Sequence, residues 1–159
     1  MIRPLALFDV DGVLADVQHR LVHVQRRPKD WDAFFAAAPG DPPLPEGLAL
    51  AREAATQCEV VYVTGRPERC RADTLAWLQQ HGAPTGRLVM RRLGDHRPAR
   101  RAKLELLTRL GADRSVAVVV DDDPAVCDAY ESAGWTVLRA TWADRAPVLE
   151  QAQELDGRT

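Results

Sequence analysis

Two aspartate clusters, one Thr-Gly-Arg triplet and one lysine are the residues of this chain best placed to do chemistry. Asp9-Val10-Asp11-Gly12 follows the apolar run Leu5-Ala6-Leu7-Phe8. Thr64-Gly65-Arg66 follows Val60-Val61-Tyr62-Val63, and Asp121-Asp122-Asp123 follows Val116-Ala117-Val118-Val119-Val120. Packed carboxylates repel and raise one another's pKa unless a cation neutralises them. An oxygen-only donor set suits magnesium, which takes one or two carboxylates and leaves room for water and a phosphate. Helix capping accounts for Asp123, which precedes Pro124. It does not account for doublets at the ends of two different apolar runs.

Lys103 is set apart by its neighbours. Of the 21 basic residues, nineteen are Arg; Lys29 and Lys103 are the only lysines. Positions 103, 106, 107 and 110 share one face of a predicted helix, and the other three are Leu. An ammonium on an apolar stripe is costly unless it is paired or snorkels to water. In a chain that uses Arg nearly everywhere, a compact ammonium suits a task that a planar guanidinium would do badly.

The elements that must position these groups follow from periodicity. Five short apolar runs, at 5–8, 60–63, 88–90, 115–120 and 135–138, alternate with helical patterns at 46–57, 67–81, 98–111, 124–133 and 143–154. That alternation predicts an α/β fold: a doubly wound, Rossmann-like parallel sheet of about five strands with helices on both faces. Such sheets bind ligands beyond the carboxyl ends of their strands, where both aspartate clusters fall. Pro67 suits a first helical position, and the last five residues are expected to fray. Residues 17–45 break the rhythm and read as a small helical insertion, a minimal cap, within a single domain spanning 1–159. Its Trp31, Phe34 and Phe35 read either as insertion core or as a base-stacking platform.

Composition narrows the classes. A chain of 159 residues, 46% apolar and 28% charged, is ordinary for one globular domain. Its three cysteines have no CxxC spacing, which argues against a disulfide scaffold and a cysteine zinc site. The apolar run after Met1-Ile2-Arg3-Pro4 is too short for a signal-peptide core or a membrane span, so a cytoplasmic protein without a membrane partner is expected. Net charge is −2, yet residues 87–103 carry seven basic residues against the single acid Asp95, a local +6. Such a patch beside a phosphate site fits an extended anionic substrate; an Arg-rich solvated face is the plainer reading.

Phe8-Asp9-Val10-Asp11-Gly12-Val13-Leu14-Ala15-Asp16 resembles the first motif of the haloacid dehalogenase (HAD) superfamily. Thr64-Gly65-Arg66 resembles the second, Lys103 the third and Asp121-Asp122 the fourth, in matching order over residues 5–140. Within that superfamily the chain is similar to the phosphatase domain of phage-type polynucleotide kinase/3′-phosphatases. That likeness rests on Thr64 to Glu68, Thr74 to Leu78, Met90-Arg91, Gly94-Asp95, Arg97 and Lys103. The resemblance implies Asp9 as the nucleophile that forms an aspartyl-phosphate and Asp11 as the acid–base. It implies Mg2+ held by Asp9, the Asp11 carbonyl and Asp121, with Asp122 assisting. Thr64 and the Gly65 amide would hold phosphate oxygens, and Arg91 and Arg97 would touch substrate. Arg66 would orient phosphate or pair with a motif aspartate.

The chain departs from the kinase-linked pattern at Asp123, where Arg is usual, and at Ala99, where Asp is usual. It has no GxxxxGK[ST] loop, hence no kinase domain within it. The function expected is a magnesium-dependent phosphomonoesterase acting on nucleic-acid 3′-phosphate ends or nucleotides. The alternatives are a small-molecule phosphatase and a non-catalytic phosphate-binding domain.

Overall fold

The computed structural model describes residues 1–159. Strand β1 (Leu5–Phe8) is followed by three short helices, α1 (Val22–Gln25), α2 (Trp31–Ala36) and α3 (Pro45–Ala54). Then come β2 (Glu59–Pro67), α4 (Arg71–Gln80), β3 (Gly86–Arg91), α5 (Ala99–Asp113), β4 (Val116–Asp121), α6 (Pro124–Ser132), β5 (Val137–Arg139) and α7 (Pro147–Gln151). The strands form one parallel sheet in the order β3-β2-β1-β4-β5.

Both faces of that sheet are covered, which is why its strands read as unbroken apolar runs. Ala6, Phe8, Val60 and Tyr62 face a core that includes Leu48 and Ala51 of α3, Trp77 and Leu78 of α4, and Phe34 and Phe35 of α2. Leu5, Leu7, Val61, Val63 and Val119 face the opposite way, onto Leu107 of α5 and Val126 and Tyr130 of α6. No helix is long and apolar enough to cross a membrane.

Register brings the chemistry together. Phe8 pairs with Tyr62 on one side and Val120 on the other. The residues one step on, Asp9, Val63 and Asp121, therefore emerge level at the carboxyl edge.

Two local expectations are corrected. Pro67 closes β2 rather than opening α4; a 3-10 turn, Glu68–Cys70, intervenes, and Pro67 has extended backbone paired to Arg91 of β3. The last residues do not fray. Gly157 and Thr159 are buried, because Glu154 pairs with Arg100 (2.8 Å), Asp156 with Lys29 (3.7 Å), and Arg91 donates to the Thr159 carbonyl (3.3 Å).

Candidate active site

The turn after β1 is built around Asp9. The Val10 amide donates to Asp9 Oδ1 (2.8 Å), and the chain then folds back so that Leu14 and Ala15 donate to the Val10 carbonyl (2.8 and 3.0 Å). Gly12 sits at φ 79° with the Asp122 carboxylate directly against it; a Cβ there would overlap that carboxylate. The glycine thus serves both the left-handed turn and the close approach of the two aspartate clusters.

Lys103, reaching in from α5, joins the clusters. Its Nζ lies 2.7 Å from Asp121 Oδ2 and 3.1 Å from Asp9 Oδ2, and all three side chains are buried. The ammonium is therefore paired, and burial, which would lower its pKa, is outweighed by Asp121 and Asp9, which hold it well above the usual lysine range. Burial pushes the Asp9 carboxyl well up, against the pull of Lys103. It also pushes Asp122 up to about 7, helped by Asp121 and opposed by Arg145. Carboxylate oxygens of Asp9, Asp121 and Asp122 lie within 4.8 Å of one another, and Asp122 Oδ1 is buried without a partner. Three hard oxygen donors with shared, unbalanced charge fit a small divalent cation. Asp123 stands apart as the cap of α6, accepting from the Ala125 amide (2.9 Å).

Asp11 is turned differently from Asp9. Its Oδ1 accepts from Arg66 Nε (3.0 Å), Arg66 Nη2 (2.6 Å) and Arg20 Nη2 (3.1 Å). Burial pushes its carboxyl up, but the Arg66 and Arg20 guanidinium groups outweigh burial and hold it below the usual range. Arg66, which the sequence leaves between two roles, is thus an aspartate partner. It is fixed in turn by Thr74 Oγ1, which accepts from Nη1 at 3.1 Å.

Three residues that sequence reasoning missed join the site. Arg20 and Asp41 come from the insertion and are fully buried as charged side chains. Arg145 follows β5 and donates to Asp122 Oδ2 at 2.7 Å. It places a guanidinium beside the fourth motif of a chain whose position 123 is Asp rather than Arg. The available signal was weak: an Asp held between Gly40 and Pro42-Pro43, and arginines hidden among nineteen.

Thr64 and Gly65 lie at the buried end of β2, where the Arg66 amide donates to Thr64 Oγ1 (3.2 Å). With Lys103, Arg91, Arg92 and Arg97 they line a groove of about 110 Å³. Thr159 packs directly on the Gly65 backbone. Arg91 is spent on the carbonyls of Asp95 (3.1 Å) and Arg97 (3.0 Å). Arg97 pairs with Asp95 (2.9 Å) and Glu105 (2.5 Å). Trp31 packs edge-on to Phe34 and stacks on Phe35, as insertion core does.

Comparison with known proteins bears on this arrangement. The protein-family model described as "Polynucleotide kinase PNKP phosphatase domain" matches residues 4–144. No curated protein matches the chain. Among solved structures, a chain of the Pnkp1/Rnl/Hen1 RNA repair complex superposes with a TM-score of 0.73 at 21% identity, over 90% of this chain and 44% of that one. The present chain thus spans less than half the length of that relative. A haloacid dehalogenase-like hydrolase from Streptococcus pneumoniae gives 0.56 at 12% identity, covering 96% and 92% of the two chains. A 2-haloacid dehalogenase from Pseudomonas syringae pv. tomato gives 0.54 at 18%, covering 95% and 96%. The structural likeness carries the fold, and the family match carries the rest: the chain belongs to the PNKP phosphatase-domain family of the HAD superfamily and is a phosphatase.

Proposed function

We propose that the chain is a magnesium-dependent phosphomonoesterase that works through an aspartyl-phosphate on Asp9. Its preferred substrates are nucleic-acid 3′-phosphate ends or nucleotides. One observation carries the reading: two carboxylates two residues apart, Asp9 and Asp11, are turned to different partners. Asp9 shares Lys103 with Asp121, whereas Asp11 is clasped by two arginines. The division that supports the reading is geometric: Asp9 Oδ2 faces Lys103 among the carboxylates that could hold a metal, while Asp11 Oδ2 is left without a partner.

In this mechanism Asp9 Oδ2 attacks phosphorus while Lys103 holds it in place. Thr64 Oγ1 and the Gly65 amide take phosphoryl oxygens. Asp11 donates a proton to the departing alcohol and then accepts one from the water that frees phosphate. Asp9, Asp121, Asp122 and the Asp11 carbonyl would hold the magnesium ion. When bound, it supplies Lewis-acid charge neutralisation at the phosphoryl oxygens.

A second reading, a small-molecule phosphatase, is favoured by the state of the basic segment. Arg91 and Arg97 already have local partners, and the groove beside Thr64 is small. Arg92 in the same groove is exposed and forms no ion pair, which leaves one cationic contact open to a longer substrate. A magnesium-supported phosphate-release screen separates the two readings. It compares 3′-phosphorylated oligonucleotides, 5′-phosphorylated oligonucleotides, mononucleotides and sugar phosphates. Highest kcat/KM on the 3′-phosphorylated oligonucleotide, falling with added salt, supports the polynucleotide reading. Highest kcat/KM on a sugar phosphate overturns it.

A further inference from the structure

The mechanism makes no use of Arg145, which follows β5 and spends one nitrogen on each of three partners. Nη1 donates to Asp122 Oδ2 at 2.7 Å, Nη2 to Gln153 Oε1 at 3.1 Å and Nε to Glu150 Oε1 at 3.2 Å. Glu150 belongs to α7, and Gln153 to the π-helical turn, Ala152–Asp156, that continues it. The Asp122 carboxylate also lies against Gly12 of the turn after β1, too close for any side chain there. It is thus confined by a backbone turn and a guanidinium. With Oδ2 engaged, Asp122 Oδ1 is buried and has no partner. Asp122 is one of the three carboxylates whose oxygens lie within 4.8 Å of one another.

Anchoring α7 does not call for this ion pair. Ala146, Val148 and Leu149 pack on the core that holds Phe8 and Val10, and Trp142 Nε1 donates to the Val13 carbonyl at 2.9 Å. A buried ion pair adds little net stability over apolar packing. On charge alone a guanidinium beside a cation site is a liability, because it repels the ion. What Arg145 adds is direction: a charge-assisted bond fixes one oxygen of Asp122 and leaves the other bare.

We propose that Arg145 is a positioning residue for Asp122. Held by Glu150 and Gln153, it fixes the carboxylate so that Oδ1 is presented to a divalent cation. The inference rests on the metal-holding role of Asp122 given above. Charge and positioning then predict opposite signs. Loss of a merely neighbouring positive charge tightens cation binding, whereas loss of a positioning donor weakens it.

The test is a titration of Mn2+ with the protein in the absence of substrate, followed by electron paramagnetic resonance of the free ion. It reads cation affinity without turnover. Arg145→Ala should weaken Mn2+ binding by about 10–100-fold. In an Asp122→Asn background, adding Arg145→Ala should weaken it by less than about twofold, because no carboxylate remains to be positioned. Arg145→Ala strips a largely buried carboxylate of its partner and can fail to fold. Glu150→Ala, at an exposed position, loosens only Nε and should then weaken binding by about threefold. Unchanged or tighter Mn2+ binding in the folded variants overturns the proposal. An equal further loss in the Asp122→Asn background also overturns it and leaves Arg145 as scaffold. A wild-type protein that binds no Mn2+ overturns the metal reading of Asp122 itself, so the two failures are distinguishable.

Discussion

The buried ion pairs around Asp9 and Asp11 and the exposed ones along residues 87–109 use the same side-chain chemistry to different ends. Arg66 has every polar arm engaged and no access to water. Arg97 is paired at comparable distances, yet its side chain is half exposed. In the interior, desolvation makes each charge expensive, and removing one partner strands the other. At the surface, solvent and salt screen the pair, and most of its Coulomb energy is lost. Contact distance alone therefore does not rank these pairs; burial does.

Lys103→Met should break the comparison most sharply. It strands Asp9 and Asp121, and a loss of about 3–5 kcal/mol is expected in denaturant unfolding without divalent ions. Magnesium should recover part of that loss by binding the folded state, and phosphate release should still fall at least about 100-fold. Wild-type stability in this variant would mean that the two carboxylates do not need the ammonium.

Arg66→Lys keeps the charge and removes the fork. Its four bonds cannot be replaced by one ammonium, so a loss of about 1.5–3 kcal/mol is expected by the same measurement. A neutral result would show that point charge alone satisfies Asp11.

The smallest effect belongs to Asp95. Hydrogen bonds from Arg97 hold its carboxyl at about 2, below the ordinary 3.8. A depressed carboxyl contributes stability above its ordinary value and loses it as pH falls through the folded value. The melting-temperature difference between wild type and Asp95→Asn should therefore be slight at neutral pH and vanish as pH falls from 3.8 towards about 2. It should also shrink in salt. A large, salt-insensitive difference would move this pair into the buried class.

The parts legible in the sequence are those that local pattern dictates. Strands covered on both faces must be apolar throughout, so β1, β2 and β4 are visible as runs, and the polar residues that end them mark the carboxyl edge. Lys103 is visible because it interrupts a leucine stripe. Arg20, Asp41 and Arg145 are not, because nothing local distinguishes a buried arginine from the other eighteen; only the folding back of the insertion and of the segment after β5 gives them partners. Pro67 misleads for a related reason. Its φ suits a first helical turn and an extended residue alike, and pairing with Arg91 decides between them. The expected fraying of the last residues fails because Glu154 and Asp156 find basic partners far along the chain.

The account turns on Asp9 as the nucleophile. Its most direct test is rapid quenching of the enzyme during turnover with magnesium and a phosphorylated oligonucleotide, followed by mass spectrometry of the peptide that carries Asp9. The account predicts a phosphoryl adduct on that peptide in the wild type and none in Asp9→Asn, with phosphate release by the variant reduced at least about 1,000-fold. Phosphate release at near wild-type rate by homogeneous Asp9→Asn would contradict it.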